Sequence, residues 1–131
     1  MAKETSYTNE ADVKRRVKKL LDQHKWFWWM PPANGFGRSG IADFNALRGG
    51  VFIAVETKFG KNKPTPMQIG FLESVQSESG IAFIVNDQNI FAFELWLAHF
   101  DNAVQAQAEQ RDVDPVDGAA MLDAMRALSG V

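Results

Sequence analysis

The chain has 131 residues, enough for one domain with a single buried core, and 46% of them are hydrophobic, including ten Phe and four Trp. It has no cysteine, and its two His lie 75 positions apart, which excludes a disulfide framework and a thiolate zinc site and leaves oxygen ligands as the means of holding a metal. The net charge of -2 conceals opposite halves: residues 1–70 carry twelve Lys/Arg against six Asp/Glu, net +6, and residues 71–131 carry two against ten, net -8, the asymmetry expected of a nucleic-acid face or an acidic tail.

After a polar leader, Thr8 or Asn9 can cap a helix that runs to about His24, with Val13, Val17, Leu20 and Leu21 at helical spacing. Lys25-Trp26-Phe27-Trp28-Trp29-Met30 is an aromatic strand, stopped by Pro31-Pro32. With two Pro and three Gly, the segment from Pro31 to Gly40 is a loop whose backbone is free to approach another element closely. A second strand is predicted over Ile41 to Leu47. Arg48-Gly49-Gly50 then marks a hairpin into Val51-Phe52-Ile53-Ala54-Val55, a run suited to burial on both faces of a sheet.

The loop Gly60-Lys61-Asn62-Lys63-Pro64 leads to Thr65-Pro66, an N-cap with a first-turn proline, and a helix is expected to continue to Ser79 with Gly80 as its stop. Ile81 to Asn86 reads as a fourth strand, parallel to the third through a right-handed crossover. The core order is αβββαβ. Ile90 to Phe93 reads as a short strand or the start of a helix, and Leu95, Trp96, Phe100 and Val104 point to a third helix ending near Gln110. Asp114-Pro115 should cap a fourth, ending near Leu128. These two helices are acidic on one side and apolar on the other, and are expected to pack on the sheet or on a second subunit. The whole chain reads as one α/β domain, residues 1–131, with a core over about 8–93 and a helical extension over about 94–131. It lacks a signal-peptide pattern and any apolar run of the roughly 20 residues that span a bilayer, so a soluble, cytoplasmic protein without membrane contacts is expected.

The chemistry concentrates at the end of the third strand. Side chains two apart on a strand share a face, so Glu56 and Lys58 project together where the apolar run gives way to a cleft. Asp43, placed on the second strand, comes within reach of Glu56 if the hairpin register is imperfect or bulged. Two carboxylates suit Mg²⁺, which takes one or two protein carboxylates and fills its other positions with water and phosphate oxygens. The Thr57 carbonyl could serve as a further ligand, and Lys58 could hold or deprotonate an attacking water. Hydrolysis of a phosphodiester needs this combination of positive charge and activated water. Taken alone, Glu56-Thr57-Lys58 reads first as a solvated strand end with an ion pair, and Asp43 as a turn or capping residue.

Glu10 opens the apolar stripe of the first helix, either as a carboxylate favoured by the helix N-terminus or as a third acidic metal ligand. Gln68, in the first turn of the second helix, is an exposed residue or an amide that orients Lys58 or a phosphate. Lys14, Arg15, Arg16, Lys18 and Lys19 group on the outer side of the first helix, and Lys61 and Lys63 follow the Glu56-x-Lys58 pair. With Arg38 in the glycine-rich loop, they are candidate phosphate contacts. The aromatic residues Trp26, Phe27, Trp28 and Trp29 are assigned mostly to the core rather than to base stacking.

Glu10, Gly40-Ile41-Ala42-Asp43, Val55-Glu56-Thr57-Lys58 and Gln68, in this order, resemble the VRR-NUC branch of the PD-(D/E)XK nuclease superfamily over about residues 8 to 87. Gly37-Arg38-Ser39-Gly40 is similar to that family's Gly-Arg-rich approach to its acidic residue. Ala42 stands where the usual motif has Pro, and the helices beyond Leu95 match nothing in it. The resemblance implies a restriction-endonuclease-like core with a mixed sheet, Mg²⁺ or Mn²⁺ at the matching positions, and a lysine serving the nucleophilic water. Stand-alone members in phages and bacteria are compact, often dimeric and favour branched DNA, which implies a homodimeric, structure-selective endonuclease acting on substrates such as four-way junctions. The competing readings are an inactive DNA-binding or phage accessory module of the same fold, and a restriction-type enzyme, for which no groove-entering element is evident.

Overall fold

In a computed structural model, residues 6–32, 40–110 and 118–129 are described. The elements are α1 (Glu10–Gln23), β1 (Phe27–Trp29), β2 (Phe44–Arg48), β3 (Val51–Thr57), α2 (Pro66–Ser77), β4 (Ile81–Val85), α3 (Ile90–Gln110) and α4 (Gly118–Leu128). The strands form one mixed sheet in the order β1-β2-β3-β4, with β1, β2 and β3 antiparallel and β4 parallel to β3. This is an α/β fold with a restriction-endonuclease-like αβββαβ core and C-terminal helices, as expected from the order of elements. Among the described residues no helix is long and apolar enough to cross a membrane.

Helices cover both faces of the sheet. Val13, Val17, Leu20 and Leu21 of α1 and Ile90, Phe93 and Leu97 of α3 close over Phe44, Ala46, Ile53, Val55 and Val85 on one face. On the other, Leu72 of α2 packs against Ala42 and Ala54. Between β2 and β3, Gly49 and Gly50 take φ values of +57° and +79°, the pair of left-handed residues that a two-residue hairpin turn requires. The pairing then runs without interruption from Arg48 opposite Val51 to Phe44 opposite Val55, so the register carries no bulge.

Several boundaries differ from expectation. The first strand is only Phe27–Trp29, because Lys25 belongs to the end of α1: at φ +62° it donates its N–H to Asp22, and Trp26 donates to Leu21. This is the paired hydrogen-bond closure usually built on glycine. α2 stops at Ser77 in the same way, with Ser79 at φ +67°, its N–H on Gln76, and the Gly80 N–H on Val75. Gly80 is needed for another reason, since a Cβ there would stand 2.6 Å from Val75 Cγ1. β4 ends at Val85 because Asn86 already begins the next cap, accepting from the N–H groups of Gln88 and Asn89 while Asn89 accepts from Asn86. Ile90 to Phe93 is therefore the first turn of α3 rather than a strand.

Of the aromatic run, Trp26 is buried and Trp28 half-buried, whereas Phe27 and Trp29 are 69% and 41% exposed. The assignment to the core holds for the first pair alone, since three residues on an edge strand turn alternate side chains outward. α3 packs on the sheet and on α1, where Arg16 meets Glu94 at 3.0 Å and His24 meets Asp101 at 2.6 Å. Leu122, Met125 and Leu128 of α4 are exposed. The Asp114-Pro115 cap and most of the loop from Pro31 lie outside the described residues.

Candidate active site

β3 carries its last two residues, Glu56 and Thr57, into the core: they are 1% and 0% exposed, and Glu56 is the only ionisable group buried to this extent among the described residues. Extending the β2–β3 register by one position sets Asp43 opposite Glu56. Asp43 lies immediately before β2 rather than on it, which frees its side chain from the pleat. Its Oδ2 accepts from the Thr57 N–H at 3.0 Å and the Thr57 hydroxyl at 2.6 Å, so the two strand ends are tied across the hairpin.

Gly40 keeps this corner in place. At φ +81° its backbone lies so close to α2 that an added Cβ would stand 2.7 Å from the Met67 carbonyl carbon and oxygen. The approach expected of the glycine-rich loop is thus made onto the first turn of α2. Gln68 sits in that turn, within a capping box: Thr65 Oγ1 accepts from the Gln68 N–H, and the Thr65 N–H donates to Gln68 Oε1. Gln68 Nε2 then donates to Glu56 Oε1 at 2.9 Å. The sequence suggested Lys58 or a phosphate as the partner of this amide, and here it is Glu56.

Lys58 follows β3 directly, with its N–H on the Val85 carbonyl and its Nζ 3.6 Å from Glu56 Oε1. The Lys58 side chain is 14% exposed, so this is not the solvated ion pair of a surface strand end. The loop behind it is held by Asp87, which accepts from the Gly60 N–H at 2.9 Å. Asp87 drew no attention in the sequence, since a lone Asp after a strand has no motif to announce it.

Burial pushes the Glu56 carboxyl up from its ordinary 4.5 to about 7, with the Asp43 charge adding to the effect and Lys58 opposing it. Its second oxygen, Oε2, is buried without a hydrogen-bond partner among the described residues. A carboxylate oxygen in that position is costly unless a proton or a cation meets it. That orphan oxygen, on a carboxyl that also feels the Asp43 charge, fits a hard divalent cation such as Mg²⁺ or Mn²⁺.

The remaining acidic candidate is placed differently. Among the described residues no group of three or more His, Cys, Asp or Glu side chains is arranged to hold a metal. Glu10 reaches the site through Lys14, whose Nζ lies 3.6 Å from Glu10 Oε2 and 3.7 Å from Asp43 Oδ1. Lys14 is therefore turned to the site rather than to the outer face of α1, and Arg16, paired with Glu94 of α3, also departs from that face. The i,i+4 spacing of Glu10 and Lys14 was the available signal, since residues four apart on a helix are neighbours.

Arg15 pairs with Asp12 and Arg16 with Glu94, while Lys19, Lys61 and Lys63 are exposed and Lys18 is half-buried. Arg38 lies outside the described residues.

No protein-family model and no curated protein matches the chain. Among solved structures it is similar to a protein described as "VRR_NUC domain protein", with a TM-score of 0.53 and 20% sequence identity, over 67% of this chain and 86% of that one. At this identity the likeness shows a shared fold.

Proposed function

We propose that the chain is a metal-dependent DNA endonuclease that hydrolyses phosphodiester bonds. The observation that carries this reading is Glu56: a carboxylate buried at a strand end, with Asp43 opposite, Gln68 and Lys58 on one oxygen, and the other oxygen unpartnered among the described residues. Glu56, Asp43 and the Thr57 carbonyl would hold Mg²⁺ or Mn²⁺. Such an ion, when bound, supplies positive charge toward the phosphate oxygens and acidifies a water.

The protein's own groups do the rest. Gln68 keeps Glu56 Oε1 in place, which leaves Oε2 for the cation. Thr57 fixes Asp43 through two donors. Lys58, largely withdrawn from solvent, orients the nucleophilic water, takes its proton or balances charge on the phosphate. Lys18, Lys19, Lys61, Lys63 and Arg15 would supply phosphate contacts, a role that the sequence also assigns to Arg38, and Lys14 faces the site itself. The resemblance of the Glu10, Asp43, Glu56-Thr57-Lys58 and Gln68 pattern to VRR-NUC nucleases supports branched DNA as substrate and a homodimer as the working form.

The test is cleavage of labelled four-way junction, flap, single-stranded and linear duplex DNA in Mg²⁺ or Mn²⁺, with Lys58→Ala and EDTA as controls. Junction-selective nicking, lost in both controls, is expected. A folded protein that binds these DNAs and cuts none would make it a binding module of the same fold.

A further inference from the structure

We propose that Lys14 is a resident cation of the site, held between Glu10 and Asp43, that competes with the divalent metal for Asp43. The inference rests on the metal-dependent reading above. Its basis is geometric. The Lys14 ammonium lies within 4 Å of two carboxylates carried by different parts of the fold, one on its own helix and one at the entry to β2. It is two-thirds withdrawn from solvent, since its side chain is 32% exposed and its helix neighbours Val13 and Val17 are buried.

Of the two Asp43 oxygens, Oδ2 is engaged by Thr57 and Oδ1 faces Lys14. Any cation bound through Oδ1 must therefore share that oxygen with the ammonium or displace it. Glu10 has a corresponding part: it is the acceptor that keeps Lys14 beside Asp43, a positioning role distinct from ligation. The arrangement offsets the negative charge of Asp43 and Glu10 when no metal is bound, and it lowers the affinity for the metal that replaces it.

The measurement is Mn²⁺ binding by isothermal titration calorimetry to the DNA-free protein, comparing wild type with Lys14→Met and Lys14→Arg, each checked for an intact thermal transition. Removing one positive charge a few ångströms from a divalent ion is expected to tighten Mn²⁺ binding about tenfold in Lys14→Met. Lys14→Arg keeps the charge and should keep the wild-type Kd, a rescue that loss of helix packing would not produce. A Lys14→Gln protein gives a second uncharged variant if the methionine disturbs folding. Equal affinity in wild type and the uncharged variants would overturn the proposal while leaving the metal reading intact. No Mn²⁺ binding to wild type or to either uncharged variant would remove the metal reading and this inference with it.

Discussion

Gln68 donates its side-chain amide to Glu56 while the oxygen of the same amide accepts from the Thr65 backbone. The cap of α2 and the buried carboxylate of β3 are thus joined through one side chain. Gln68→Ala should lower stability by about 1–2 kcal/mol and cleavage by about tenfold or more, as loss of a group that orients a ligand does. Thr65→Ala removes the hydroxyl of the cap but leaves the backbone N–H that holds Gln68 Oε1. It should therefore cost about 1 kcal/mol with cleavage kept. Urea unfolding and initial cleavage rates on both proteins separate the two roles, and equal activity losses would show that the cap alone matters.

Glu56 makes metal-free stability depend on pH. Its folded-state pKa is raised, so the folded protein holds a proton that the unfolded chain releases. The stability it contributes is complete below about 4.5 and is lost as pH rises through about 7. Unfolding in EDTA should show a decline of up to about 3 kcal/mol across this window. Glu56→Gln should flatten the decline, and Mn²⁺ should reverse it in wild type at pH 8. A profile that rises with pH in EDTA would contradict the buried, metal-seeking carboxylate.

Lys19 is exposed on α1, and Lys18, half-buried, lies one turn beyond Lys14. Changing both to Ala should weaken binding to any DNA sequence and reduce the slope of log K against log salt by about one to two. Fluorescence anisotropy at several salt concentrations measures this slope. An unchanged value would turn both lysines away from DNA.

Ser79 adopts a left-handed conformation that favours glycine, and Gly80 beside it has no room for a side chain. Ser79→Gly should stabilise by up to about 1 kcal/mol, and Gly80→Ala should destabilise by about 1–3 kcal/mol. Thermal melts of the two variants should move in opposite directions.

The order of elements, the hairpin and the α2 cap were legible because each depends on local chemistry: Gly49-Gly50, Thr65-Pro66 and a β-branched run. The convergence of Glu56 and Lys58 was legible for the same reason, since they end an apolar strand. What escaped was set by contacts distant in sequence. The run of basic residues from Lys14 to Lys19 reads as one exposed face, yet Lys14 lies about 40° from Glu10 on a helical wheel and reaches Asp43, 29 positions away. The partner of Gln68 required the packing of α2 on β3. Of the two readings of Ile90 to Phe93, strand or helix start, the second holds; the choice was open because its cap consists of two Asn residues that look like ordinary turn formers.

Asp43, Glu56, Thr57 and Lys58 all fall within the stretch of chain closed by Gly49 and Gly50. The juxtaposition of Asp43 with Glu56 and Thr57 is consequently a local product of folding, to which Gln68 and Lys14 are added by more distant contacts. Hairpins form in roughly 1–10 μs, well before distant segments need meet, so the carboxylates can be paired before the helices dock. Because side chains alternate along a strand, a slip of one residue at the turn would send Glu56 to the opposite face of the sheet. Lengthening that turn by a single residue is a way to misplace the site without touching any residue in it.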